Sequence, residues 1–201
     1  MKKFSLILAL LTLTGAVSFA QKAYEGKIRY KKLDQPALAV EYSYPQNVVD
    51  NALKAKMADL RLKYSNSKGF ISYNNSVIPS ITSSVLDYTF KTIPSGKTGK
   101  EKTTLYMIME GGNNIAGDAV VLAANGKAFL ESLAPNVKRS NTVFQIKKQE
   151  DLLVTEEQKL KSLKDAYEAL DEKMKQNLEE QRKQSRIIAS QRSILDDLKG
   201  N

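Results

Sequence analysis

Residues Asn136 to Lys199 read NVKRSNTVFQIKKQEDLLVTEEQKLKSLKDAYEALDEKMKQNLEEQRKQSRIIASQRSILDDLK, 64 positions without a Pro or a Gly. Glu, Lys, Gln, Leu and Arg dominate, all residues that lose little side-chain freedom in a helix, so the stretch predicts one long C-terminal helix. With Leu160 at position a of a heptad, the a and d positions are Leu160, Leu163, Tyr167, Leu170, Met174, Asn177, Gln181, Gln184, Ile188, Gln191, Leu195 and Leu198. Eight are apolar or aromatic, which is the seam of a coiled coil. The candidate interface residues are therefore Leu160, Leu163, Tyr167, Leu170, Met174, Ile188, Leu195 and Leu198. The run Asn177–Gln184 interrupts the seam with polar residues, and buried amides restrict register or oligomer state.

At about 1.5 Å per residue, a helix from Asn141 to Lys199 would be near 90 Å long, and its stripe needs a partner to cover it. A parallel homodimer or homotrimer is the first expectation, with a different coiled-coil protein as the other partner. The competing reading is a solitary helix laced by pairs three and four residues apart, of Glu168 and Glu172 with Lys164 and Lys175.

Everything upstream has the opposite composition. All five Pro, nine of ten Gly and eight of nine Tyr lie at or before Pro135. Residues 22–148 carry 19 Lys+Arg against 10 Asp+Glu, whereas residues 149–201 carry 10 against 12. A basic globular domain thus precedes a mixed-charge tail, with domains expected at 21–139 and 140–201.

Apolar alternation predicts strands at 26–32, 38–44, 69–73, 85–93 and 104–110. Val49, Leu53, Met57, Leu60 and Tyr64 form the apolar stripe of a helix opened by Pro45. A second helix is expected over 117–133 and is ended by Pro135; Asn125-Gly126 in its middle is its weakest point, because the pair could equally make a turn. The expected fold class is α+β: a two-layer sandwich of about five antiparallel strands with two helices on one face, followed by the long helix.

The first twenty residues are read as a signal peptide rather than as fold. Met1-Lys2-Lys3 is a positive start, Phe4 to Val17 is mostly apolar, and Ser18-Phe19-Ala20 supplies the small residues of a cleavage site after Ala20. A stretch of fourteen residues is too short to span a bilayer as a helix. No Cys follows, which excludes lipoprotein attachment. The expected mature chain is exported, without a transmembrane segment, and begins at Gln21.

The chain contains no Cys, no His and no Trp. That excludes disulfides, a Cys- or His-based zinc site, a Ser-His-Asp triad and a cysteine nucleophile. Ser95-Gly96-Lys97-Thr98 resembles the end of a phosphate loop, but Lys91 stands where that pattern needs Gly, and strands flank it on both sides. A polar hairpin is the better reading. Gly111-Gly112-Asn113-Asn114 is a turn by composition. No catalytic residue, metal ligand or cofactor is expected, and the chain reads as a non-enzyme.

Two binding readings remain. Lys27, Arg29, Lys31 and Lys32, in the sequence GKIRYKK, are candidates for contact with an anionic envelope surface, though alternating Lys on a strand also makes an ordinary solvated face. Export argues against nucleic acid. Alternatively, a curved sheet gripped by a helix forms an apolar groove for a small ligand, lined by Tyr42, Tyr44, Phe70, Tyr73, Tyr88 and Tyr106.

The signal peptide, Tyr24-Glu25-Gly26, Tyr42-Ser43-Tyr44-Pro45, Lys68-Gly69-Phe70, Lys127-Ala128-Phe129-Leu130 and the coiled-coil tail together resemble uncharacterised exported proteins typical of the Bacteroidota. The resemblance covers nearly the whole mature chain and implies a Gram-negative periplasmic or surface location. It brings no activity and no site residues.

Overall fold

The computed structural model describes residues 21–111 and 119–199. The expected signal peptide, the residues after Gly111 in its turn, and the first two positions of the expected second helix lie outside them. Six strands form one antiparallel sheet: β1 (Tyr24–Tyr30), β2 (Leu33–Tyr42), β3 (Ser65–Ser67), β4 (Phe70–Ser76), β5 (Leu86–Ser95) and β6 (Lys102–Glu110). Their spatial order is β1-β2-β6-β5-β4-β3. Helix α1 (Gln46–Asp59) connects β2 to β3, and α2 (Ala119–Ser132) and α3 (Ala134–Lys199) follow β6. The α+β sandwich with a long C-terminal helix is thus present, with six strands rather than about five.

Strand alternation sets the core. Leu38, Val40 and Tyr42 of β2, Tyr73 of β4, Tyr88 and Phe90 of β5, and Leu105 and Met107 of β6 are all buried in one cluster. Helix α1 adds Val49, Leu53 and Met57 to it, and α2 adds Phe129 and Leu130. Helix α1 lies over β5 and β6, and α2 over β2. The Tyr42 hydroxyl donates to the Leu130 carbonyl, tying β2 to α2 inside the core. The opening of α1 is anchored to β5, where Gln46 Nε2 donates to Thr92 Oγ1 (2.9 Å) and that hydroxyl donates to Asp50 Oδ1 (2.8 Å).

Tyr64 does not belong to the α1 stripe. The helix ends at Asp59, Arg61 takes a left-handed φ of 57°, and Leu62 N–H bonds back to Met57 O at 3.0 Å. That closure is a helix C-terminus of the left-handed kind, normally given to Gly. Asn125-Gly126, in contrast, does not interrupt α2. A Cβ at 126 would stand 2.5 Å from Leu38 Cδ1 and 3.1 Å from the Cε atoms of Met107 and Met109. Gly is there because the helix presses onto the sheet. Asn125 Nδ2 donates to Ile81 O at 2.9 Å, fixing the loop before β5.

The sheet is curled. The rings of Tyr30 on β1 and Phe70 on β4 have centroids 4.9 Å apart. Those strands are four places apart in the sheet, which is roughly 19 Å if it were flat. Beneath the pair, Ile28, Ala37 and Ile108 form a small second cluster on the face away from α1 and α2.

The turn joining β1 to β2 is Lys31-Lys32, with φ of 51° and 69°. Two left-handed central residues make the mirror-image hairpin turn, which favours Asn-Gly because Cβ atoms are strained there. Lys31→Asn/Lys32→Gly is expected to stabilise the domain by about 1 kcal/mol, even after losing an exposed ion pair to Glu110. Urea unfolding followed by near-ultraviolet circular dichroism measures it; an unchanged or lower midpoint would refute it.

Contacts divide the chain into two compact units, one ending at Phe144 and one beginning at Gln145. The first turns of α3 belong to the first unit, because Val137 is buried in its core and Phe144 packs against it. Pro135 sits in the first turn of α3, where its missing N–H costs nothing.

Candidate functional site

From Gln145 to Lys199, α3 is a single uninterrupted helix and only Asp171 is less than exposed. The eight seam residues of the heptad reading all lie on it, from Ile188 at 43% exposed to Tyr167 at 72%. Residues 3 and 4 apart share one side of a helix, so these eight form one stripe, broken at the polar run and again at Gln191. Within that run Gln181 Nε2 donates to Asn177 Oδ1 at 2.6 Å, so two seam amides pair along the helix itself.

The stripe is longer and wider than those eight residues. Ile146 and Leu153, both at least half exposed, extend the a column upstream at the same seven-residue step. Ile187 and Ile194 occupy g positions and broaden the C-terminal part, and exposed Leu178 lies within the polar run at an e position. The seven-residue column could have identified Ile146 and Leu153 in the sequence; beginning the count at Leu160 concealed them. Charges line the other sides: Lys175 meets Asp171 at 2.8 Å and Lys159 approaches Glu156 at 3.9 Å. Lys175 therefore pairs with Asp171 rather than with Glu172. Such exposed pairs contribute only a few tenths of a kcal/mol each, too little to account for an extended helix with an uncovered apolar stripe.

The basic residues of β1 and its turn differ in their surroundings. Lys27 and Arg29 alternate along β1, an edge strand, where charge also blocks pairing with other strands. Lys31 Nζ lies 3.3 Å from Glu110 and 4.7 Å from the centre of the Tyr30 ring. The hydrogen bond to Glu110 and its charge raise the Lys31 pKa above the ordinary lysine value. Lys27, Arg29 and Lys32 form no ion pair among the described residues.

The six aromatics expected to line a groove fall on different faces. Tyr42, Tyr73 and Tyr88 are fully buried in the main core, whereas Phe70 and Tyr106 pack with Tyr30 on the reverse face of the sheet. Alternation along a strand forces that division. Burial pushes the Tyr73 hydroxyl up to about 12, with nearby Tyr64 adding to the shift. Burial likewise raises Tyr42, helped by the Glu131 charge. These phenols are held neutral by apolar surroundings, as core residues are.

Ser95-Gly96-Lys97-Thr98 closes the β5–β6 hairpin. Gly96 has φ +89° and a Cβ there would lie 2.3 Å from Lys100 O, so the glycine serves the turn. Among the described residues no group of three or more Asp and Glu could hold a metal ion, and no helix is long and apolar enough to cross a membrane. Comparison with protein-family models, curated proteins and solved structures finds no match.

Proposed function

We propose that the protein is a non-enzymatic structural or interaction protein of the cell envelope, exported to the periplasm or secreted. In this reading it self-associates through its C-terminal helix and presents the basic α+β domain. The observation that carries it is the exposed apolar stripe along Gln145–Lys199, which an isolated helix does not need.

The arrangement of polar residues favours a parallel, in-register assembly. Aligned that way, each seam residue faces its own copy, so Leu meets Leu and the amides of Asn177, Gln181 and Gln184 meet one another. An antiparallel pair centred on the polar run sets Tyr167 against Gln191 and Met174 against Gln184, burying amides beside apolar groups at a desolvation cost.

The chain has no cysteine, so Leu163→Cys introduces a single reporter thiol. In a parallel assembly two such residues face each other within disulfide reach. Mild oxidation is expected to link most chains in pairs, while Ser162→Cys, on another side of the helix, links few. Linking by Leu163→Cys/Leu195→Cys but not by Leu163→Cys would mean antiparallel pairing, and no linking by either would count against self-association through this seam.

A further inference from the structure

The domain carries an open cavity, a groove of about 580 Å³, between the edge of the sheet and the first half of α2. Its apolar wall comes from Leu38 of β2, Met107 and Met109 of β6, and Ala119, Leu122 and Ala123 of α2. A local cause is visible. At Gly126 the helix is in close contact with Leu38 and both methionines, but one turn earlier it turns alanines to the sheet, and small side chains leave the space open. On the sheet side, pairing of β2 with β6 stops at Leu38↔Met107. The next residues of each strand on that face, Pro36 and Met109, both line the cavity. Proline has no N–H to continue the ladder.

Two charged residues of β1 stand at the opening, and they differ. Glu25 is already neutralised by Lys127 of α2 at 3.0 Å. Lys27 also lines the cavity but forms no ion pair among the described residues. A largely apolar, solvent-open groove of ligand size, with a cation that forms no ion pair among the described residues, is complementary to an amphipathic molecule with an anionic end. Methionine walls adapt to a flexible occupant.

We propose that this cavity binds a single-chain amphipathic anion. The acyl chain lies among Leu38, Met107, Met109, Leu122 and Ala123, and the anionic group rests on Lys27. The inference is independent of the coiled-coil reading, because every residue involved lies in the globular unit. A free fatty acid and a lysophospholipid share this chemistry.

Residues 21–201 are titrated calorimetrically, below micelle-forming concentrations, with dodecanoate and separately with lauroyl-lysophosphatidylglycerol; dodecanol serves as the uncharged probe. At least one anionic probe is expected to bind with one site per chain and a Kd on the order of micromolar. Which of the two binds identifies the source of the anion. Ala123→Phe, which fills the chamber, should weaken binding at least roughly tenfold. Lys27→Glu should weaken the anionic probes by a similar factor while leaving dodecanol within about twofold. Thermal melting verifies that each variant folds, and Ala119→Phe replaces Ala123→Phe if it does not. Absence of saturable binding, or binding indifferent to the cavity-filling variant, would overturn the proposal. Equal affinity for dodecanol and dodecanoate, unchanged by Lys27→Glu, would overturn the role of the anion.

Discussion

Replacing both Leu163 and Leu170 by Glu is expected to convert the protein from an oligomer to a monomer at micromolar concentration. Both residues occupy d positions in the best part of the seam, and both are more than half exposed on the lone helix. In a parallel assembly each substitution places like charges face to face in a desolvated layer, where unpaired carboxylates are costly. Each layer also loses the burial of two leucines, about 1.5–3 kcal/mol per side chain. Together these effects are expected to weaken association at least roughly a thousandfold, since each 1.4 kcal/mol is tenfold. Far-ultraviolet circular dichroism should fall as well, because a long helix with little packing frays. Ser162→Glu, one position from Leu163 but pointing elsewhere, should leave the mass unchanged. An oligomer of undiminished mass in the double variant would remove the seam from the account.

The second large effect lies in the globular unit. Phe129→Ala is expected to destabilise it by about 3–5 kcal/mol, the usual cost of removing a buried aromatic side chain. Phe129 is 1% exposed and its ring centroid is 6.4 Å from that of Phe90, so it is the wedge through which α2 grips β5. Leu130 and Leu133 sit beside it in the same cluster. With domain stabilities of about 5–15 kcal/mol, a loss of this size takes a large share. The melting temperature of the domain should drop by roughly 10–20 °C, read from near-ultraviolet circular dichroism of the buried tyrosines. Val143→Ala, 62% exposed on α3, is the control and should shift it little. A Phe129→Ala protein that melts like the parent would show that α2 is not held by this contact.

Much of this fold is legible in the sequence wherever one face of an element is buried. Tyr42 and Tyr88 alternate with polar neighbours because one side of each strand faces the main core, and Ile28 because its side faces the smaller cluster on the reverse face; that period appears in the residues themselves. The elements that escape detection lack such a face. Strand β3, Ser65–Ser67, is fully exposed and exists only by pairing with β4. The first half of β2 crosses Pro36, which reads as a breaker; it is tolerated because β6 pairs only from Leu38 onward. Tyr64 continues the helical spacing of Met57 and Leu60 by coincidence, since the left-handed Arg61 has already ended the helix. Asn125-Gly126 has the composition of a turn, but its role is set by Leu38 and Ile81, which are distant in the chain.

The same contrast separates the two sites. The seam on α3 is a local periodic pattern, so a heptad count finds most of it. The cavity draws on β1, β2, β6 and α2, with no motif in any of them. Lys27 appears in the sequence as one of four basic residues in a row of alternating charge. Only the structure separates it from Lys31, which Glu110 occupies, and sets it beside Met107 and Leu122.

The most direct test of the central claim is the mass in solution of residues 21–201, measured by light scattering after size exclusion, beside that of residues 21–148. The shorter chain ends beyond Phe144, because an earlier stop would remove Val137 and Phe144 from the core. Self-association through the C-terminal helix predicts a dimer or trimer for the longer chain and a folded monomer for the shorter one. A longer chain that remains monomeric at tens of micromolar with its helix intact, or a shorter one that keeps the oligomeric state, would contradict it.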